Sequence, residues 1–238
     1  MHRSGTSCLT GSLQHSGLHL GKVYEWSKYN LKGNRENQPI MDLNDSVLAT
    51  NNGSWDLPPK GKIIWTTEQA KKRDEIIANF AYEAQGTWGF KDPRTLFTLP
   101  FWKEGLGKIK FVASFRHPAL VAKSLCKRNN MPIKTGLALW TTYNQRLLSY
   151  LDEDECLIIS FNLPISNYLS CIKCLSEHLG IRKPSCNDNN LFRDESLVNQ
   201  QLEESDVQLV PDSAIKLYDK LNQHFMSQSI TSCYTNPS

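Results

Sequence analysis

Apolar residues recur at helical spacing along much of this chain, and two short segments replace that rhythm with continuous apolar runs. Leu9, Leu13 and Leu18 predict a helix over residues 8–20, directly after a turn of small hydroxylated residues. A shorter helix is expected over residues 40–49. Ala70, Ile76, Ile77 and Phe80 predict an amphipathic helix over residues 67–84. Pro118 sits near the first turn of a helix expected over residues 119–127. Leu137, Trp140, Leu147 and Leu148 mark a helix over residues 136–151. Leu169, Ile172, Leu175 and Leu179 mark another over residues 165–179, with Gly180 as its C-cap. A last helix is expected over residues 212–225 and a loose tail over residues 231–238. Residues 110–115 and 156–161 are the continuous runs and read as buried strands. Residues 87–91 read as a short strand, ending at Lys91-Asp92-Pro93-Arg94, where proline should stop regular structure.

Short apolar strands alternating with helices predict an α/β fold, with a parallel sheet covered by helices on both faces. The whole chain, residues 1–238, reads as a single domain, and residues 27–62, rich in Asn, Gly, Lys and Pro, as an irregular excursion from it. The formal net charge of +3 is too small to argue for nucleic acid, although it suits a local basic site for a small anion. No apolar run reaches the length of a membrane span. The seven cysteines are odd in number and irregularly spaced, with no secretory segment before them, so the expectation is reduced thiols in a cytoplasmic protein. Cys171 and Cys174 have C-x-x-C spacing but lie inside a helical pattern with no second ligand pair, which favours packing over a metal or redox site.

Three polar motifs carry candidate chemistry, and two of them, at residues 91–94 and at Arg116, stand where ligands bind in such sheets, beyond the carboxyl ends of strands. His2-Arg3-Ser4-Gly5-Thr6-Ser7 precedes the first helix. Small residues let the backbone turn so that N–H groups and the helix N-terminus face an anion, and Arg3 adds a planar fork suited to phosphate or sulfate oxygens. An ATP-type loop would need lysine after the glycine, and Thr6 stands there, which counts against a nucleotide kinase. Arg116 ends the strand at 110–115 and Ser124 follows eight residues later on a helix. Lys91 and Arg94 place two cations around Asp92. Each motif alone also fits a plain cap, a surface arginine or a charged turn.

Taken in this order, the three motifs resemble the P-loop sulfotransferase family. The likeness is strongest to its broad, mostly bacterial branch with an H-R-S-G-T-S loop, and extends to the tyrosylprotein and carbohydrate sulfotransferases. The resemblance implies a P-loop-type fold and transfer of a sulfuryl group from 3′-phosphoadenosine-5′-phosphosulfate (PAPS) to an acceptor hydroxyl or amine, without a metal. By it, Arg3, Ser4, Gly5, Thr6 and Ser7 hold the 5′-phosphosulfate, Arg116 and Ser124 hold the 3′-phosphate, and Lys91 lies near the transferring group. Asn30-Leu31-Lys32-Gly33-Asn34-Arg35-Glu36 is similar to a segment of the bacterial branch and makes Glu36 the first candidate for the general base, with Glu25 second. The acceptor is expected to be a carbohydrate or small molecule.

The likeness has one gap. In the family a buried strand leads into the loop, whereas here Met1 stands at the loop's edge, so the first strand is missing from the pattern. Two explanations compete: a true start about ten residues upstream, the length of a strand and its flanks, which the intact remainder of the pattern favours, or a truncated product that is unstable or inactive. A non-catalytic sulfotransferase-like binding domain is therefore the alternative to an enzyme.

Overall fold

The structure, a computed structural model, describes residues 1–26, 30–84, 86–151, 156–181 and 201–231. In chain order its elements are α1 (Thr6–His15), α2 (Gln38–Thr50), α3 (Thr67–Glu83), α4 (Thr95–Leu106), β1 (Phe111–Phe115), α5 (Pro118–Asn129), α6 (Ile133–Leu151), β2 (Cys156–Ser160), α7 (Ile165–Leu179), α8 (Glu204–Gln208) and α9 (Asp212–Ser227). Chain contacts separate two compact units. Unit 1 is Met1–Gly17 with Phe111–Ser238, and unit 2 is Leu18–Lys110.

Unit 1 is α/β. The two continuous apolar runs pair as a parallel sheet, from Phe111 opposite Cys156 to Phe115 opposite Ser160. Parallel strands need a crossover, which α5 and α6 supply. Side chains alternate faces along β1. Phe111 meets Tyr150 of α6, and Phe115 meets Tyr218 and Phe225 of α9, whereas Ser114 points the other way and donates to the Ser4 carbonyl before α1. α1 and α7 pack on each other, while α5, α6 and α9 form the second group. The small sheet is thus flanked by helices. Val121, Trp140, Tyr143, Ile158, Tyr168, Leu175 and Leu221 fill the core and are fully buried.

Unit 2 packs α2, α3 and α4 around Ile40, Leu43, Val47, Ile63, Phe80, Phe101 and Trp102. The start of α3 carries a reciprocal cap, Thr66 with Gln69. A buried amide, Asn44, ties the helices together. It donates to Asp92 (3.0 Å) and accepts from Thr98 Oγ1 (2.6 Å) and Trp102 Nε1 (2.8 Å).

Four expectations need correction. The first helix ends at His15 instead of residue 20, because Gly17 takes a left-handed conformation (φ 108°). Residues 87–91 form no strand and contribute only an isolated bridge between His19 and Trp88. The Asp92-Pro93 step starts a helix instead of merely stopping a strand. Asp92 Oδ1 accepts the Arg94 N–H at 2.9 Å in the turn just before α4, and Pro100 is carried inside that helix. Lastly, Cys174, half-buried on α7, is disulfide-bonded, so the thiols are not all reduced. Cys171, three residues earlier, is free, and burial pushes its thiol up to about 12, as packing requires. Cys186, Cys233 and residues 232–238 of the expected tail lie outside the described residues, while Thr231 is buried in a 3-10 turn. Among the described residues, no helix is long and apolar enough to cross a membrane.

Candidate functional site

In unit 1 the turn before α1 is built from two left-handed residues, Arg3 (φ 65°) and Gly5 (φ 83°), on either side of Ser4. At Gly5 the constraint is double: the conformation disfavours a side chain, and a Cβ would run into the Phe161 ring. Ser4 is completely buried. Its carbonyl accepts from Ser114 Oγ at 2.5 Å, yet its own hydroxyl has no hydrogen-bond partner. A buried hydroxyl left without a partner costs about 1–3 kcal/mol. α1 begins at Thr6 with no side-chain cap, so the positive end of its dipole is available at the same turn. Thr6 and Ser7 form its first residues and are half-buried.

The second predicted cradle meets the first. Arg3 Nε donates to Ser124 Oγ at 2.6 Å, joining residues 121 positions apart in sequence. Arg116 stands at the carboxyl end of β1, with its guanidinium 5.2 Å from the centre of the Phe161 ring, the same ring that covers Gly5. Burial, and then the charge of Arg128, lower the Arg3 guanidinium to about 10, so it remains a cation at neutral pH. Arg128 escaped the sequence reading. It lies one turn beyond Ser124 on α5, and that i, i+4 spacing was its only signal. Two like charges that bear on each other in this way favour an anion beside Arg3.

His117, next to Arg116, is buried with Nδ1 unpartnered, and its ring meets Tyr218 edge-on at 5.0 Å. Burial holds its pKa below the usual value, against an opposing pull from Asp206. The unfolded chain therefore takes up this proton first as pH falls. Above about pH 6.5 the residue has no effect; below it, stability declines until the folded state is also protonated. Urea melts at pH 7.5 and 5.5 should show a smaller acid loss for His117→Asn than for the parent, and equal losses would refute the assignment.

In unit 2 the segment carrying Glu36 folds back on Tyr24. Tyr24 N donates to the Glu36 carbonyl (3.1 Å) and Arg35 N to the Tyr24 carbonyl (3.2 Å). Gly33 (φ 76°) permits this, since a Cβ there would strike the backbone of Tyr24 and Glu25. Glu36 is buried and both carboxylate oxygens are engaged: Lys91 Nζ binds Oε1 at 2.5 Å and Asn34 Nδ2 binds Oε2 at 2.8 Å. Lys91 is largely shielded as well, its side chain 10% exposed, so this pair is far from a solvated loop contact. Glu25 is exposed and pairs with Arg35 at 3.2 Å. Asp92 grips Arg94, not Lys91, with both oxygens 3.1 Å from Nη1. Asn34 is the second residue that sequence reasoning missed.

The predicted residues thus fall into two sets: Arg3, Ser4, Gly5, Thr6, Ser7, Arg116 and Ser124 in unit 1, and Glu36 and Lys91 in unit 2. Among the described residues, no group of three His, Cys, Asp or Glu side chains is placed to hold a metal ion. The donor set of unit 1 fits an oxyanion: a partnerless buried hydroxyl, an uncapped helix start and cationic guanidinium groups. No protein-family model, curated protein or solved structure matches the chain.

Proposed function

We propose that the chain is a P-loop-type sulfotransferase, with unit 1 binding PAPS and its desulfated product, 3′-phosphoadenosine-5′-phosphate. The observation that carries this reading is the Arg3–Ser124 hydrogen bond, because it joins the two motifs that the family uses for the two ends of one donor. Ser4 supports it: its unpartnered hydroxyl is a donor waiting for an acceptor. When bound, the donor supplies an activated sulfuryl group. The chain's own part is electrostatic. Arg3, the helix start and the turn hydroxyls stabilise negative charge, an effect typically worth about 10²–10³ in rate per donor. The family resemblance assigns Glu36 as the base and Lys91 as a catalytic cation, and within unit 2 their pairing makes each the other's counter-charge. The acceptor is a hydroxyl or amine of a carbohydrate or small molecule.

Calorimetry with 3′-phosphoadenosine-5′-phosphate tests the reading. Binding should be clear for the parent chain and fall about tenfold to a hundredfold in Ser4→Ala, the value of one hydrogen bond to a charged group. The same substitution should leave the melting temperature of the ligand-free chain unchanged or raised, since that hydroxyl has no partner to lose. No binding by the parent would refute the proposal. A non-catalytic binding domain shares the donor site, and the observation on its side is that both oxygens of Glu36 are already engaged. Transfer of radiolabelled sulfate from PAPS to an acceptor separates the two.

A further inference from the structure

The peptide unit joining Arg116 to His117 leaves β1 and enters the turn before α5, one step past the last strand pair, Phe115 with Ser160. Both of its polar groups are nevertheless held, each by a side chain from a different part of unit 1. Trp140 Nε1, from the completely buried ring in the middle of α6, donates to the Arg116 carbonyl at 3.0 Å. On the other side, the His117 N–H donates to Asn162 Oδ1 at 3.0 Å, from the turn just after β2. That turn is itself fixed, because Phe161 N donates to the Phe115 carbonyl at 2.9 Å, one step past the strand pairing. With both poles of the peptide plane held, its rotation is frozen, and so is the direction in which the Arg116 side chain leaves the backbone.

We infer that Trp140 and Asn162 are positioning residues that aim Arg116 at the 3′-phosphate; the inference rests on the donor site proposed above. Neither residue needs to touch the ligand. Their contribution is preorganisation: a guanidinium whose backbone is already set loses less freedom when it closes on a phosphate. The role is specific to one end of the ligand. Loosening this peptide should weaken recognition of the 3′-phosphate and leave the 5′ end, held by the turn before α1, unaffected.

Binding of 3′-phosphoadenosine-5′-phosphate and of adenosine 5′-monophosphate, measured by calorimetry on the full chain, separates these cases. The parent should prefer the bisphosphate. Asn162→Ala and Trp140→Phe should each lose about tenfold in affinity for the bisphosphate, one hydrogen bond's worth, with adenosine 5′-monophosphate changed less than about twofold. Asn162 is exposed, so its replacement tests the idea even if the buried Trp140→Phe chain does not fold. A bisphosphate-to-monophosphate ratio equal to the parent's, with both ligands unaffected or both weakened alike, overturns the role of the residue replaced. A parent chain with no preference for the bisphosphate instead overturns the donor site itself, and the positioning role with it.

Discussion

An Arg3→Ala chain should bind 3′-phosphoadenosine-5′-phosphate about 10²-fold more weakly than the parent. The arginine is held in a left-handed backbone conformation that few non-glycine residues adopt, and its Nε reaches Ser124 at 2.6 Å. Its charge is preserved at neutral pH although burial and Arg128 both oppose it, so an incoming anion relieves an existing strain between cations. Removing a buried charge that contacts a ligand charge commonly costs about 2–5 kcal/mol, which brackets a hundredfold. Arg3→Lys should recover only part of the loss, since an ammonium cannot reproduce the planar fork or the Nε–H contact with Ser124. Combining Arg3→Ala with Ser124→Ala should cost less than the sum of the two, because the side chains share one bond. Titration calorimetry reads all four chains, and a loss below about threefold for Arg3→Ala would remove Arg3 from the site.

Asp92→Ala should destabilise the protein by about 3–5 kcal/mol. The carboxylate is wholly buried, and burial raises its pKa against the pull of Arg94. It accepts from the Arg94 N–H (2.9 Å), from Arg94 Nη1 with both oxygens, and from Asn44 Nδ2 (3.0 Å). Its removal strands a buried guanidinium and a buried amide together, the situation in which breaking an ion pair is most expensive. Asp45, 2.6 Å from Arg94 Nε, limits the damage but is half exposed. Asp92→Asn keeps a carbonyl acceptor for the Arg94 N–H and should cost clearly less. Urea denaturation followed by tryptophan fluorescence gives both values; a cost under about 1 kcal/mol for the alanine variant would show that the network is dispensable.

The parts of this fold that were legible in the sequence are those where one physical signal dominates. α2, α3, α5, α6, α7 and α9 each bury one stripe, and β1 and β2 are short and apolar throughout. α4 was illegible because it is buried nearly all round, so Leu96, Phe97, Leu99, Phe101 and Trp102 leave no polar face to set a period, and Pro100 argues against a helix. Asp92-Pro93 in fact forms the turn that leads into it, closed by the Arg94 N–H on the Asp92 carboxylate. Residues 87–91 alternate as a strand would, but among the described residues their backbone bridges only to His19, and alternation cannot supply a missing partner strand. At the site, residue types and spacing nominated Arg3, Arg116 and Ser124, while the contact between Arg3 and Ser124 depends on how the chain returns. Asn34 was invisible because nothing in its sequence context says that its amide turns back onto Glu36.

Unit 1 is discontinuous in the chain, since α1 belongs with β1 although the whole of unit 2 is encoded between them. During synthesis α1 emerges before unit 2, and Leu9 and Leu13 must wait for their sheet until the intervening helices have left the ribosome. Closing so long a connection carries an entropic cost that short-range contacts avoid, and assembly of this half is correspondingly slow. Early folding of the intervening segment would shorten that search by bringing its two ends into a fixed relation, so a substitution that delays unit 2 should also postpone maturation of the turn before α1.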